Sequence, residues 1–226
     1  MTLVVAHRGA SAAHPPGNTP ESFVASAQLG ADWVELDVHS TSDGCLAVHH
    51  DPDLADGRAI SGLMGADLPP SVPQLAAALE MCAPLGVNVE IKPDGPVALR
   101  PALIDSVISL LHSLDSGQQF LITSFEHSII DAVRSLSSSL PTGLLTMGEV
   151  RSDDDLRRLV DQGHVAINPW NGAVDAELVD RAKALGLAVN VWTVDDPARM
   201  RSLIEFGVDA IITNVPDVCR AVVDAG

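Results

Sequence analysis

The sequence predicts a (β/α)8 barrel, and three observations carry that expectation. Eight apolar, β-branched runs alternate with amphipathic stretches from residue 3 almost to the last residue. Helix-start and helix-stop signals fall in the gaps between those runs. Short polar clusters close the strand runs at their C-terminal ends, the end at which such barrels build their sites. At 226 residues the chain is a little below the roughly 250 usual for this architecture, so its loops must be lean. A doubly wound open sheet alternates in the same way and is the alternative fold.

Taken in order, strands are expected at 3–7, 33–38, 87–91, 120–124, 143–146, 165–168, 187–193 and 210–213. Helices fit at 20–29, 72–82, 96–114, 126–136, 152–162, 175–185, 197–206 and from 216 onward. Thr19 before Pro20, Asp196 before Pro197 and the acidic run Asp153-Asp154-Asp155 are helix-start signals. Gly30, Gly186 and Gly207 stop helices just ahead of the next strand. After the second strand, Thr41, Asp43 and Gly44 mark a turn, and the run 46–51 reads as an extra strand or extended excursion over the barrel mouth. Residues 51–73 form a short insertion there. No Ser/Gly-rich linker or like-charge block divides 1–226, which reads as one domain.

Composition narrows the partners. A formal charge of −17 repels nucleic acid and anionic bilayers, so neither nucleic-acid binding nor stable membrane association is expected. An anionic small molecule would need a local positive pocket, which Arg8, Lys92 and a bound cation can supply. The first residues show no basic n-region, long apolar h-region or cleavage site. Cys45, Cys82 and Cys219 are odd in number and far apart, which reads as free thiols in a reducing compartment. A cytoplasmic protein is expected.

The chemistry lies in the clusters His7-Arg8-Gly9, Glu35-Leu36-Asp37, His50-Asp51 and Glu90-Ile91-Lys92. Imidazoles move protons near neutral pH, carboxylates hold hard cations, and Arg with Lys grips an oxyanion. This set fits metal-assisted phosphoester hydrolysis. Within a strand, Glu35 and Asp37 share a face, opposite Val34, Leu36 and Val38. Two carboxylates on one face of an apolar strand call for a cation; the alternative is that they meet solvent or pair with Arg8 and Lys92. Glu90 repeats the geometry on the next strand. All-oxygen ligation points to Mg2+ or Ca2+, since no His or Cys cluster has zinc spacing.

Other residues carry weaker signals. Asp51 orients an imidazole or caps its loop. His39 falls past the expected strand end, as an exposed loop residue. His14, His112, His127 and His164 lack charged companions at useful spacing and read as structural or surface residues. Trp192 either stacks on a substrate group or fills the barrel. Asn168 and Asn214 line the mouth or satisfy loop backbone, without a catalytic part. Ser124 has no His/Asp partner set, and Phe23, Phe125, Trp33 and Trp170 read as packing.

These residues, with Asn18-Thr19, Gly30-Ala31-Asp32, Trp192-Thr193-Val194, Gly207-Val208-Asp209 and Ile211-Ile212-Thr213-Asn214, resemble the glycerophosphodiester phosphodiesterase family over nearly the whole chain, in order. The resemblance implies a TIM barrel that cleaves glycerophosphodiesters to sn-glycerol 3-phosphate and an alcohol. It implies His7 and His50 as the acid–base pair, Glu35, Asp37 and Glu90 as ligands of the divalent metal, and Arg8 and Lys92 as phosphate contacts. The chain departs from the family at three places. Gly17 stands where a Glu usually precedes Asn-Thr, which is expected to loosen that loop; Asp195 stands where Asn often follows Trp-Thr-Val; and the 51–73 segment is short. Competing readings are lysophospholipase D-like or lyase cleavage, for which 51–62 offers little apolar entrance, and a non-catalytic phosphate-binding barrel, which would not need both His7 and His50.

Overall fold

The structure is a computed structural model that describes residues 1–93, 95–114, 117–150 and 152–226. Its strands are β1 (Leu3–His7), β2 (Trp33–Ser40), β3 (Leu46–Val48), β4 (Gly86–Ile91), β5 (Phe120–Ser124), β6 (Thr142–Thr146), β7 (Ala166–Pro169), β8 (Ala188–Val191) and β9 (Ala210–Thr213). Eight of them are parallel and close on themselves, because β1 pairs with both β2 and β9. The open-sheet alternative is thereby excluded. The ninth, β3, runs antiparallel to the far end of β2, pairing Val38 with Val48 and Ser40 with Leu46. That pairing is why β2 reaches Ser40, two residues past the expected end.

Helices follow the strands as α1 (Pro20–Gln28), α2 (Leu75–Cys82), α3 (Arg100–Ser113), α4 (His127–Leu136), α5 (Asp153–Asp161), α6 (Ala176–Ala184), α7 (Pro197–Phe206) and α8 (Pro216–Ala225). Their caps are those read from the sequence. Thr19 accepts from the Ser22 N–H in a capping box, Asp196 accepts from the N–H groups of Ala198 and Arg199, and Gly207 ends α7 in the left-handed conformation. Helix α2 starts at Leu75 rather than 72 because the preceding backbone serves β3: the Val48 N–H donates to Pro73 O, and Ala47 bridges to Gln74.

Alternation along the strands divides the molecule into two layers. Val34, Leu36 and Val38 face outward, into an apolar layer with Phe23 of α1 and Leu75 and Leu79 of α2. Glu35, Asp37 and His39 face the other way. The half of the barrel from β6 to β9 packs against α5 to α8 through a second cluster that includes Leu156, Leu178, Met200 and Cys219. Cys82 and Cys219 are buried free thiols, and burial pushes each up to about 12. The inserted segment carries its own small core of Leu54, Ile60 and Val72 on Ala47. Trp33 packs across Gly86, while Trp170 is 44% exposed at the rim rather than packed inside.

Leu79 is 1% exposed between α2 and the barrel wall. Leu79→Ala is expected to cost about 2–5 kcal/mol. Urea unfolding should show a lower midpoint with an unchanged m-value.

Candidate active site

The chain leaves β1 in a tight turn that faces the barrel mouth. Arg8 has φ +55° and Gly9 φ +73°. A Cβ on Gly9 would lie 2.7 Å from the Ser22 backbone, so only glycine allows this approach of the first loop to α1. The turn aims the Arg8 N–H at Glu35, donating to Oε2 at 3.0 Å. Asn18, also left-handed at φ +55°, donates its N–H to Arg8 O at 2.8 Å and its Nδ2–H to Asp37 Oδ2 at 2.7 Å. Gly17 has a steric part in this loop. Its φ of +82°, and the 2.8 Å that would separate a Cβ there from the Arg8 and Ser11 Cβ atoms, mean that glycine is what lets the loop pack this closely against the Arg8 turn.

Strand register assembles the carboxylates. His7 lies beside Glu35 across β1–β2, and Asp37 beside Glu90 across β2–β4. Glu35, Asp37 and Glu90 are all buried and present oxygens within 4.8 Å of one another, a group that could hold a metal ion. Lys92 Nζ, 6% exposed, sits 3.2 Å from Asp37 Oδ1 and 3.0 Å from Glu90 Oε1, and Arg8 Nε is 3.5 Å from Asp37 Oδ2. Arg8 and Lys92 thus stand among the carboxylates, and three negative charges still outnumber two positive ones.

Burial first, and that imbalance second, set the electrostatics. Burial raises the Glu35 carboxyl well above its ordinary range, and the charges of Asp37 and Glu90 raise it further. Burial, then the charge of Asp37, lifts Glu90 to about 7. Asp37 goes the other way: burial pushes it up, but Lys92 and Arg8 outweigh burial and hold it below the ordinary range. Lys92 is raised because Asp37 and Glu90 outweigh the opposing effect of burial.

Both imidazoles reach the same cavity, of about 210 Å³, which is lined by His7, Arg8, Glu35, Asp37, His50, Glu90, Lys92 and Trp192 together with Phe125, Leu145, Met147 and Ile212. His7 Nε2 is 3.9 Å from Glu35 Oε2, and its Nδ1 meets Asn214 Oδ1 at 2.7 Å. Burial, with the Arg8 charge beside it, pulls His7 down to about 4. His50 arrives from the loop after β3. Its Nδ1 is 2.7 Å from Asp51 Oδ1, so Asp51 orients the imidazole rather than capping the loop. His49 is not among the residues lining the cavity; its Nδ1 lies 2.9 Å from Asp51 O.

His39 is not an exposed loop residue. It lies inside β2, 4% exposed, and its Nε2 is 3.1 Å from His50 O, where it props the loop that carries His50. His164 also has a charged companion that spacing concealed: Asp131, 33 residues away, at 3.0 Å, with Thr142 on the other ring nitrogen. Phe125, read from sequence as packing, lines the cavity edge-on to Trp192 at 5.5 Å. Trp192 donates Nε1–H to Asn168 O at 2.7 Å, which pins its ring as one wall. Phe125 and Met147 each follow a strand end directly, and that position was the available signal for their place at the mouth.

Glu90 titrates near 7 in the folded chain without metal and near 4.5 when unfolded. Its contribution to stability is full below 4.5 and is lost as pH rises through 7, on the order of 3 kcal/mol at most. Urea unfolding in chelator should therefore show that the stability advantage of Glu90→Gln over the parent widens between pH 5 and pH 8. An advantage that is flat across that range would contradict the assignment.

Residues 7–218 match the model of the glycerophosphoryl diester phosphodiesterase family. A glycerophosphodiester phosphodiesterase from Caldanaerobacter subterraneus subsp. tengcongensis is 29% identical over 252 residues, covering all of this chain and 99% of that one. A probable glycerophosphodiester phosphodiesterase 2 of Mycobacterium tuberculosis is 30% identical, covering 99% of this chain and 91% of that one. Among solved structures, an Oleispira antarctica phosphodiesterase in complex with the product sn-glycerol-3-phosphate superposes with a TM-score of 0.90 at 25% identity, covering 99% of this chain and 97% of that chain. With its closed barrel and the match spanning nearly all of its length, the chain belongs to the glycerophosphoryl diester phosphodiesterase family, whose members are phosphoric diester hydrolases.

Proposed function

We propose that the chain hydrolyses glycerophosphodiesters to sn-glycerol 3-phosphate and an alcohol, with Mg2+ or Ca2+ held by Glu35, Asp37 and Glu90. The observation that carries this reading is the crowding of three buried carboxylates beside two imidazoles and two fixed cations in one cavity. With all three carboxylates ionised, as ligation requires, Arg8 and Lys92 would leave one negative charge in excess, and a phosphodiester would add another. A divalent cation brings that set to neutrality, and three oxygen donors suit a hard ion. When bound, it supplies Lewis-acid stabilisation of charge developing on the phosphoryl oxygens.

The protein side chains divide the remaining work. Arg8 and Lys92 hold the phosphate oxygens through charge-assisted hydrogen bonds. His7, pulled down to about 4, is unprotonated at neutral pH and takes the proton of the attacking oxygen at Nε2. His50, whose ring Asp51 orients through Nδ1, donates a proton to the leaving alkoxide. Phe125, Leu145 and Trp192 offer an apolar wall to the carbon skeleton of the substrate and keep water from that side.

We read 1–226 as one domain with 51–73 as its short insertion. Among the described residues no helix is long and apolar enough to cross a membrane. The charge of −17 favours deacylated small molecules over nucleic acid and anionic bilayers as partners, and we read the chain as a cytoplasmic enzyme without stable membrane association.

Release of sn-glycerol 3-phosphate from glycerophosphocholine and glycerophosphoethanolamine, assayed with Mg2+, with Ca2+ and with chelator, tests this function. Turnover should require metal and vanish in chelator. His7→Ala and His50→Ala should each lower kcat by about 10²–10⁴. A folded protein with no turnover in any metal would overturn the reading.

A further inference from the structure

Asp195, just beyond β8, lies exposed at the rim and is not among the residues lining the cavity. Its carboxylate accepts three hydrogen bonds from one short segment. Oδ1 accepts from Thr213 Oγ1 at 2.9 Å and from the Asn214 N–H at 2.8 Å, and Oδ2 accepts from Asn214 Nδ2 at 2.7 Å. A carboxylate has only acceptors, so it decides which way round the Asn214 amide lies. The amide nitrogen must face Asp195. The amide oxygen must then face Ser11 Oγ, which donates to it at 2.8 Å, and His7 Nδ1 at 2.7 Å.

An amide oxygen cannot donate. The proton of the neutral imidazole therefore sits on Nδ1, and Nε2, on the side of Glu35, keeps its lone pair. We propose that Asp195 is a positioning residue that acts through Asn214 to hold His7 in the Nδ1–H tautomer, leaving Nε2 free to accept a proton. This inference rests on the reading of His7 as the base.

Hydrogen-bond direction makes the chain of contacts work. An amide at position 195 would bring an N–H against either Asn214 Nδ2 or the Asn214 backbone N–H. Rotating the Asn214 amide would relieve the first conflict, but it would turn Nδ2 toward His7 Nδ1 and select the tautomer whose proton is on Nε2. Asp195, at the position where the family often has Asn, thus sets a definite direction in this chain.

Two variants test the proposal. In Asp195→Asn the long-range ¹H–¹⁵N signature of His7, assigned by its loss in His7→Gln, should move from Nδ1–H toward Nε2–H. kcat should fall by about tenfold or more, with KM unchanged, since proton transfer supplies about 10²–10⁴ in rate. The exchange Asp195→Asn with Asn214→Asp reverses only the bond between those two side chains, leaves Thr213 Oγ1 and the backbone N–H of residue 214 donating to an oxygen at position 195, and still presents an acceptor to His7, so it should restore both the tautomer and most of kcat. An Asp195→Asn protein that keeps the Nδ1–H tautomer and parental kcat overturns the proposal. So does an exchange variant no better than the single one. The tautomer is read without turnover, so failure of this inference is distinguishable from failure of the hydrolase reading, which would leave the parent protein itself inactive with every metal.

Discussion

Three carboxylates buried within 4.8 Å of one another repel, and the mouth of this barrel is organised around containing that repulsion. Buried like charges are tolerated only when cations and hydrogen-bond donors surround them. Lys92 lies between Asp37 and Glu90, Arg8 approaches Asp37 from the first loop, and Asn18 donates to Asp37 from the side. The left-handed Arg8 backbone turns an N–H onto Glu35, at a local conformational cost of order 1–3 kcal/mol. The containment is unequal. Asp37, which receives most of the positive partners, is held ionised, while Glu35 and Glu90 are pushed toward their protonated forms. A cation held by these carboxylates, as proposed above, would offset the remaining repulsion.

The two imidazoles experience opposite surroundings. His7 is buried against Arg8 and is anchored by a neutral amide, so its neutral form prevails. His50 stands on a loop at the surface, with the carboxylate of Asp51 on its Nδ1. In the proposed function, His7 takes the role of proton acceptor and His50 that of donor, a division of labour by which one site can do acid and base chemistry at a single pH. The loop that carries His50 is itself held by His39 from β2 and by β3, which ties the inserted segment to the strand bearing Asp37. The opposite wall, Phe125 and Trp192 edge to face, is apolar and pinned by the Trp192 indole N–H.

Much of the fold was legible in the sequence because it rests on local signals. Alternation on β2, the capping Thr19 and Asp196, and the helix-ending Gly207 report conformations set by a few neighbouring residues. The acidic set was legible for the same reason: i and i+2 on a strand must share a face, and barrel chemistry gathers at strand C-termini. What was not legible depended on partners distant in the chain. His39 looked like a loop residue because the pairing of β3 that extends β2 is a tertiary event. His164 looked isolated because Asp131 approaches from another element.

By itself the sequence determined the alternating architecture, the residue types at the mouth and the face on which Glu35 and Asp37 lie, since periodicity and covalent geometry are properties of the chain. Only the tertiary structure decided which groups meet. Barrel closure between β1 and β9 brings the first loop against the last, so that Asn214 contacts His7 across 207 positions and Asp195 contacts Asn214 in turn. Parallel register sets Asp37 beside Glu90 and so creates the charge crowding. Distances and hydrogen-bond directions of this kind arise only when separate strands are packed side by side, because no local rule along the chain encodes the spacing between residues that closure alone makes neighbours.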